Sequence, residues 1–468
     1  MNLTERDIER VVREVLREMT GGGAVGGAAG RFGQFEDPEQ AVLAAAQAQK
    51  QLVELSLEKR GELIAAIRAA AEANAETFAR MSLEETGLGR YEDKVAKNIM
   101  SARQTPGIED IPRTAFSGDK GLTLEEWAPF GVIASITPIN SPTALITNHA
   151  IAMIAGGNAV VINPHPSCKR STMKAVEVIN RAIVAAGGPD NLLAGVVEPT
   201  MESGDLIMRH RAVSLVVATG GPAVVRAAME SGKRFIAAGP GNPPVVVDST
   251  ADLAHAAKCI FAGVVFENGI LCIAEKVLVA VEKIADDLKA EFLKLPVYEL
   301  KGAEFEAYFR AAVDFSGPKP RMAPTFIGKD ATFILDHLGI RYSGRPQLLL
   351  AETPKDHPLV FLEQLQPFLP MVRKNCANAA VNFAIEAEQG FGHSAFIHSK
   401  NVEVITRMAR LANTSLFVAN GSSLSGLGVG GEGYPGFTIA TKTGEGICSA
   451  KDFVRRRRAV LVGGMNVV

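Results

Sequence analysis

The sequence predicts an α/β protein built from two doubly wound lobes. Short runs that are apolar almost throughout recur along the chain, and such runs are typical of parallel strands covered on both faces. Between them lie stretches of helical composition that end in glycine, such as STMKAVEVINRAIVAAGG at 171–188. This alternation is the pattern of a parallel sheet with helices packed on both sides.

The predicted strands fall into two series. The first series lies at 131–138, 158–164, 192–198 and 214–220. The second begins near Phe235 and lies at 243–248, 276–282, 370–374, 394–399 and 415–420. From Gln40 to about Lys97 the chain is rich in alanine, with apolar residues at helical spacing, which predicts leading helices. The cleft between the two lobes is the expected ligand site.

The first 19 residues predict a separate amphipathic helix, because apolar residues recur at helical steps from Leu3 to Met19 opposite a charged face. Residues 20–30, TGGGAVGGAAG, carry too few side chains to build a core and indicate a flexible linker. The helix either docks back on its own domain or binds another protein through its apolar face.

Composition excludes several classes of protein. The 468 residues carry a net charge of −2, which argues against nucleic acid as the main partner. No apolar run is long enough to span a membrane, the charged N-terminal segment lacks the apolar region of a signal peptide, and no His/Cys cluster indicates a metal site. The basic run Arg455–Arg458 is expected to be a solvated or interface segment. The dispersed cysteines favour a reducing, intracellular compartment, and they are Cys168, Cys259, Cys272, Cys376 and Cys448.

Two glycine patterns match the dinucleotide fingerprint but fail its context. The patterns at 21/23/26 and 426/428/431 do not stand between a strand and a helix. The segment 218–228 is a better candidate, because a strand is expected to end at Thr219-Gly220-Gly221 where a helix begins. Unpaired N–H groups at that point would bind an anion, although a plain tight turn explains the segment equally simply.

Cys272, in FENGILCIAEK at 266–276, is the candidate nucleophile. A helix is expected to begin nearby, and the upstream glycine permits an irregular approach to the sulfur. The segment TPINSPT at 137–143 is broken by prolines and presents Asn140 as an amide donor for an oxyanion. Taken singly, Cys272 as a core residue and Asn140 as a turn residue are also reasonable.

From about residue 35 to its end, the chain resembles the aldehyde dehydrogenase superfamily. The motifs that carry the resemblance are EETG at 84–87, TPIN, GGNAVVINP, ATGG, the FENGILC loop and LEQLQP at 362–367. The chain is more closely similar to the CoA-acylating branch, the acetaldehyde and propionaldehyde dehydrogenases of bacterial microcompartments. NPHPSCKRST, ENGILCIAEK, GFGHSAFIHS and GLGVGGEGYPGFTIATKTGEGICSA carry that closer similarity.

The resemblance implies an aldehyde dehydrogenase fold, NAD as cofactor, CoA as co-substrate, and a role for each matching residue. Cys272 would be the nucleophile, with Asn140 and the Cys272 backbone N–H as the oxyanion hole. Ile270, Leu271 and Ile273 are expected to shape an apolar acyl pocket, and His393 is considered for proton handling. The implied cofactor-binding residues are Thr137, Pro138, Ile139, Asn163, His165, Pro166, Gly220, Gly221 and Glu363.

One departure from the hydrolytic members bears on the reaction. Those enzymes carry a glutamate base in an E-L-G-G segment, whereas the matching FIAAGPGNPP at 235–244 has no acidic residue. Water should therefore attack the acyl-enzyme slowly, which favours ping-pong transfer to CoA. The lysine of their V-x-K-P motif is replaced by Asn163, so the contacts at the adenosine end and the choice between NAD and NADP stay open. An acetaldehyde-preferring enzyme, a hydrolytic enzyme and a non-catalytic scaffold are the alternatives.

The resemblance also implies a domain plan. It comprises a targeting helix (1–19), a linker (20–34), a nucleotide-binding domain (35–234) with an oligomerisation arm at about 108–128, a catalytic domain (235–420), and a C-terminal return with an oligomerisation segment (421–468). Residues 1–19 would bind microcompartment shell or core proteins, which places the chain in the cytoplasm, within such a compartment. A homo-oligomer, dimer or tetramer, is expected.

Overall fold

The computed structural model describes residues 31–465, so the predicted targeting helix and most of the linker lie outside the described residues. The α-helices are α1 (Pro38–Val53), α2 (Leu57–Ala73), α3 (Ala75–Thr86), α4 (Tyr91–Gln104), α5 (Ala144–Ala155), α6 (Lys169–Ala185), α7 (Met201–Arg209), α8 (Pro222–Glu230), α9 (Leu253–Val265), α10 (Ala285–Leu293), α11 (Gly302–Ala312), α12 (Ala331–His337), α13 (Ala377–Glu388) and α14 (Val402–Ala412). None of these helices combines the length and apolar character needed to cross a membrane.

The strands confirm the predicted runs and add several short ones. They are β1 (Gln34–Phe35), β2 (Thr114–Gly118), β3 (Gly121–Pro129), β4 (Val132–Ile136), β5 (Ala159–Asn163), β6 (Leu193–Val196), β7 (Val213–Thr219), β8 (Arg234–Ala238), β9 (Pro244–Val247), β10 (Val277–Val281), β11 (Val297–Glu299), β12 (Val313–Asp314), β13 (Arg321–Met322), β14 (Leu348–Glu352), β15 (Phe368–Lys374), β16 (Ser394–His398), β17 (Leu416–Ala419), β18 (Ile439–Ala440), β19 (Gly446–Ile447) and β20 (Val454–Val462).

The first lobe is a parallel sheet with the strand order β1-β6-β5-β4-β7-β8. Its central strand β4 pairs in parallel with β5 on one side and with β7 on the other. The chain therefore winds outward from β4 in both directions, and the crevice beyond the carboxyl ends of β4 and β7 is a topological switch point. Open α/β sheets bind ligands in such crevices.

The second lobe is a seven-stranded parallel sheet with the order β11-β14-β15-β10-β9-β16-β17. Every residue of its central strands β9 and β10 is buried, which explains their unbroken apolar sequences. Strand β10 follows the cysteine loop directly, so the position of that loop is fixed by the middle of this sheet.

The change from the first sheet to the second falls later than predicted. Strand β8 pairs with β7, so the first sheet extends to Ala238, past the predicted boundary at 235. The C-terminal segment does contact the first lobe: Thr438 Oγ1 lies 2.8 Å from His149 Nε2, and the Asn158 amide donates to the Phe453 carbonyl at 2.9 Å.

Strands β2, β3 and β20 form a separate antiparallel sheet, the arm. The sequence analysis expected β3 and the C-terminal segment to pair across subunits, but within this chain they pair with each other. The basic run lies on β20 and is exposed, with Arg457 and Arg458 ion-paired to Glu126 and Glu125 of β3. The outer edges of β2 and β20 are left without a strand partner within the described chain.

Candidate active site

The carboxyl edge of the first sheet gathers the residues predicted to bind a nucleotide. Residues 137–139 follow β4, Asn163 ends β5, and Gly220 and Gly221 stand between β7 and α8. Gly221 is the N-cap residue of α8, and no side chain of the described residues hydrogen-bonds to this helix end. A Cβ added to Gly221 would meet no atom within 4 Å. The helix begins with Pro222, which has no N–H, and the Val224 N–H donates to the Gly221 carbonyl at 3.0 Å. The N–H groups of Gly221 and Ala223 remain at this open helix end for a phosphate to bind. The buried hydroxyl oxygens Oγ1 of Thr137 and Thr219 also lack hydrogen-bond partners in the described chain, and they fit a polar ligand.

Two of the predicted nucleotide contacts are engaged by the protein itself. The Asn163 amide donates to the Thr200 carbonyl at 3.3 Å and accepts from the Ser203 hydroxyl at 2.6 Å, which ties β5 to the start of α7. His165 is exposed, and its Nδ1 accepts from the Ser167 N–H at 3.1 Å. Pro166 is exposed beside it. The Asn163 amide therefore donates and accepts within the fold, whereas only Nδ1 of the exposed His165 ring has a hydrogen bond in the described chain.

The cysteine loop has a strained backbone. It begins with one 3₁₀ turn, Phe266–Gly269, in which Glu267 and Asn268 both have φ of 54°. Non-glycine residues in this left-handed region cost on the order of 1–3 kcal/mol each, so the surrounding structure must hold them there. Gly269, at φ of 72°, passes so close to the Gln366 carbonyl that an added Cβ would lie 2.4 Å from its oxygen.

The expected helix near Cys272 is not formed, which corrects the sequence analysis. Cys272 stands in a turn between the 3₁₀ segment and β10. Its thiol therefore gains nothing from a helix N-terminus, and any activation must come from side chains and local N–H groups.

Cys272 and Asn140 are brought together across the two lobes. Both residues are half-buried, and the Asn140 amide nitrogen donates to the Ile270 carbonyl at 3.1 Å, two residues before the cysteine. One amide hydrogen is used in that bond, so the second is free to point at an oxygen bonded to a carbon on the sulfur. The backbone N–H groups of Cys272 and Ile273 act to lower the pKa of the thiol, because they favour its anion.

Charges around Cys272 oppose one another. Burial and, to a lesser extent, the Glu363 carboxylate raise the pKa of the Cys272 thiol to about 12, whereas Lys276 acts in the opposite direction. Lys276 is itself buried and donates to the Gly269 carbonyl at 2.5 Å. Burial lowers the pKa of Lys276 to about 8 and raises the pKa of Glu363 to about 7. At neutral pH the resting sulfur is therefore a thiol, poised between a cation and a carboxyl group that both titrate near that pH.

His393 belongs to the same neighbourhood. Its Nδ1 lies 2.7 Å from the Ser394 hydroxyl, while its buried Nε2 has no hydrogen-bond partner in the described chain. Burial lowers the pKa of the imidazole to about 4, so it is neutral at pH 7. Gly241 joins His393 to Glu363: its N–H donates to the carboxylate at 3.4 Å, and a Cβ there would lie 2.8 Å from the imidazole Cγ. A catalytic role for His393 stays a prediction.

The predicted acyl-pocket residues face the protein interior. Leu271 and Ile273 belong to the core of the second lobe, and Ile270 is buried. A Cβ added to Gly328 would lie 3.0 Å from Ile270 Cγ2, which shows how closely that side chain is packed. Their part in an acyl pocket stays a prediction.

Sequence reasoning gave no role to the buried charges beside the cysteine loop. Lys94, Lys97 and Glu267 are almost completely buried, and both lysines are ion-paired with the glutamate. Lysines in a leading helix are ordinarily solvated. A signal was nevertheless present, because the buried face of α4 carries polar residues at helical spacing: Lys94, Lys97, Asn98 and Ser101.

Two substitutions should change the reactivity of Cys272 in opposite directions. Lys276→Met removes the cation that stabilises the thiolate, so alkylation by iodoacetamide at pH 8 should slow severalfold. Glu363→Gln removes the opposing carboxylate, which is ionised above pH 7, so alkylation should accelerate at the same pH. Second-order rates measured by mass spectrometry of the Cys272 peptide would check both. Equal rates in the two variants would contradict this electrostatic assignment.

Comparison with known proteins agrees with this geometry. The family model described as aldehyde dehydrogenase family matches residues 28–301. An acetylating acetaldehyde dehydrogenase of Bilophila wadsworthia is 43% identical over 100% of both chains. A Rhodopseudomonas palustris propionaldehyde dehydrogenase, solved with bound CoA and an acylated cysteine, superposes with a TM-score of 0.91 at 43% identity over 93% of this chain and 100% of that one. The same values hold for a propionaldehyde dehydrogenase of the Clostridium phytofermentans fucose utilisation microcompartment.

Proposed function

Because the chain belongs to the aldehyde dehydrogenase family, we propose that it is a CoA-acylating member that oxidises a short-chain aldehyde, preferably propionaldehyde. Aldehyde, NAD⁺ and CoA would give acyl-CoA, NADH and a proton. The observation that carries the acylating reaction is the loop after β8. There the segment 235–244, which includes most of β8 and the loop after it, has no acidic residue, and its Gly241 packs against His393.

The described residues account for each step on the protein. The Cys272 thiol releases its proton to solvent, the thiolate attacks the aldehyde carbon, and the oxyanion of the resulting thiohemiacetal accepts from the Asn140 amide and the Cys272 backbone N–H. When bound, NAD⁺ supplies the acceptor for the hydride that leaves this carbon. Loss of the hydride from the thiohemiacetal oxyanion leaves an acyl-thioester on Cys272. Attack by the CoA thiolate then forms the new thioester bond and returns the electron pair to the Cys272 sulfur.

The cofactor sites follow from the first sheet. Thr137, Pro138 and Ile139 would line the nicotinamide side, with Gly220 and Gly221 at the pyrophosphate, His165 and Pro166 at the adenosine end, and Glu363 at a ribose. Asn163 would act there mainly by fixing the loop, because its side-chain amide is held by Thr200 and Ser203. CoA is proposed to enter after NADH has left.

Hydrolysis is the competing reaction, and Glu363 is the residue that could support it. Its carboxyl group raises the pKa of the Cys272 thiol. Its own pKa of about 7 is in the range that suits a general base at neutral pH. Glu267 is a poorer candidate for this role, because it is buried and paired with two lysines. We favour transfer to CoA because the segment 235–244 offers no carboxylate and the Glu363 carboxylate already accepts from the Gly241 N–H at 3.4 Å.

Steady-state rates for a series of aldehydes test the substrate preference. With NAD⁺ and CoA present, propionaldehyde should give the highest kcat/KM, and NADH and acyl-CoA should appear in equal amounts. A methylene is worth about 1–3 kcal/mol in an apolar pocket, so acetaldehyde should be a slower substrate rather than an inert one. A higher kcat/KM for acetaldehyde would reverse the preference.

Residues 1–19 are proposed to deliver the chain to a bacterial microcompartment by binding shell or core proteins. The support is the amphipathic pattern of these residues and the similarity to an enzyme of a fucose utilisation microcompartment. A fluorescent protein fused to residues 1–19 should form puncta in a compartment-forming cell. Diffuse fluorescence, equal to that of a fusion with charged residues at the apolar positions, would contradict the proposal.

The arm is proposed to form the interface of a homo-oligomer. Its support is an apolar surface that the described residues 31–465 leave exposed on these strands, formed by Phe116, Val460, Leu461 and Val462. Molecular mass in solution, measured by light scattering, would distinguish a dimer or tetramer from a monomer.

A further inference from the structure

A buried cluster of charges lies between helix α4 and the cysteine loop. Lys94, Lys97 and Glu267 are 2%, 3% and 0% exposed. The glutamate Oε2 accepts from Lys94 Nζ at 2.9 Å and from Lys97 Nζ at 3.1 Å. Burying charge is costly unless each group is paired, and two ammonium groups here share one carboxylate. Such a cluster fills the core at a higher free-energy cost than apolar side chains would, which indicates a role beyond packing.

The two lysines differ in what else they touch. Lys97 Nζ also donates to the Asn140 carbonyl at 3.0 Å and to the Ser141 hydroxyl at 3.2 Å. Together with the bond to Glu267, these contacts use all three donors of the ammonium group. Within the described chain, Lys94 Nζ makes a single hydrogen bond, which is the one to Glu267. Lys97 alone therefore connects the carboxylate to the segment that carries Asn140.

Glu267 in turn is fixed to the loop that ends at Cys272. Its N–H donates to Asp93 of α4 at 2.8 Å, and its left-handed backbone is followed by the left-handed Asn268. The Asn268 side chain is anchored to Asp330 at 2.9 Å. The loop is thus held in an unfavourable backbone conformation by hydrogen bonds to Asp93 of α4 and to Asp330. The ion pairs of the Glu267 side chain with the two lysines also hold it there.

We propose that Lys97 is a positioning residue that holds the Asn140 segment against the cysteine loop by bridging the Asn140 carbonyl, the Ser141 hydroxyl and the Glu267 carboxylate. The inference rests on the proposed function, in which Asn140 and Cys272 stabilise one oxyanion. Lys97 touches neither the substrate nor the sulfur, and it acts on the reaction through the distance between Asn140 and Cys272.

The matched pair Lys97→Met and Lys94→Met tests this bridge. Both variants remove a buried ammonium from the same helix and the same carboxylate, but only Lys97→Met frees the Asn140 segment. We expect kcat to fall about 100-fold in Lys97→Met, the scale of loss that a small displacement of a catalytic group produces, with KM for NAD⁺ unchanged. Lys94→Met leaves the ion pair of Lys97 with Glu267, which has no net charge, and this variant should retain most of the wild-type turnover. Equal losses in the two variants would overturn the proposal.

Combining Lys97→Met with Asn140→Ala separates positioning from general destabilisation. If Lys97 acts through Asn140, the double variant should turn over about as fast as Asn140→Ala alone, because residues that act as a unit are not additive. Full additivity of the two losses would overturn the inference while leaving the proposed function intact. A wild-type kcat in Asn140→Ala would contradict the oxyanion hole itself, and the inference with it.

A second variant covers the case in which Lys97→Met does not fold. Lys97→Gln keeps a donor for the Asn140 carbonyl but loses the charge that binds Glu267, so it should fold and turn over more slowly than the wild type. Thermal unfolding followed by circular dichroism would establish that each variant is folded. A folded Lys97→Gln protein with wild-type kcat would overturn the bridge.

Discussion

Cys272→Ser should lower the rate of acyl-CoA formation by about 10⁴-fold or more, the loss typical of removing a catalytic nucleophile. A serine hydroxyl is a weak nucleophile unless a neighbouring base takes its proton. Lys276 and Glu363, the charged groups that influence this sulfur, are placed to modulate a thiol. NADH absorbance and chromatography of the CoA products would measure the loss.

Cys259→Ser is the matched control, because Cys259 is also partly exposed and has a histidine nitrogen 3.4 Å from its sulfur. Cys259 lies on α9, the helix that precedes the cysteine loop. The Cys259→Ser variant should therefore keep wild-type turnover. If Cys272→Ser retained substantial turnover while folded, the nucleophile would be misassigned. Absence of turnover in the wild-type protein, by contrast, would favour a scaffold that kept this fold without its chemistry.

Asn140→Ala should lower kcat by about 10²–10³-fold, as removal of one oxyanion donor does in other enzymes. The amide lies beside the cysteine loop, and alanine can offer no donor there. KM for NAD⁺ should change little, because the dinucleotide is proposed to bind along β4, β5 and β7. Stopped-flow measurement of the first turnover would show whether hydride transfer itself is slowed.

The thiol must remain reactive in Asn140→Ala if the loss reflects the oxyanion. Iodoacetamide should therefore modify Cys272 at a rate close to that in the wild type. A parallel loss of alkylation and turnover would instead show that Asn140 only shapes the loop around the cysteine.

Much of the fold could be predicted because its central strands are buried on both faces. Runs such as 243–248 and 276–282 carry polar residues only at their ends, and β9 and β10 form between those ends. Strand β11 was missed because it has only three residues. Strand β14 was missed because nothing local separates its sequence LLLAE from other apolar fragments. The boundary near 235 was early because β8 continues the first sheet, and strand order depends on contacts far along the chain.

The nucleotide edge could be predicted for a similar reason. Parallel strands end at one edge of their sheet, so segments after β4, β5 and β7 must meet there. Whether a side chain at that edge is free is another matter. The sequence could not show that Ser203, 40 residues later, occupies the Asn163 amide.

The environment of Cys272 was the least predictable part. The expected helix start is replaced by a left-handed pair, Glu267 and Asn268, whose conformation is imposed by partners on other segments. Lys97 meets Glu267 only across 170 positions of sequence. Pairings of this kind depend on how the two lobes pack, so they cannot be predicted from the residue pattern of either segment alone.

Product analysis in the absence of CoA tests the central claim most directly. Enzyme given propionaldehyde and NAD⁺ alone should release one burst of NADH equal to the enzyme present and then turn over slowly, with little propionate formed. Addition of CoA should restore rapid turnover with propionyl-CoA as the product. Many rapid turnovers to propionate without CoA, abolished by Glu363→Gln, would contradict the account and identify a hydrolytic enzyme.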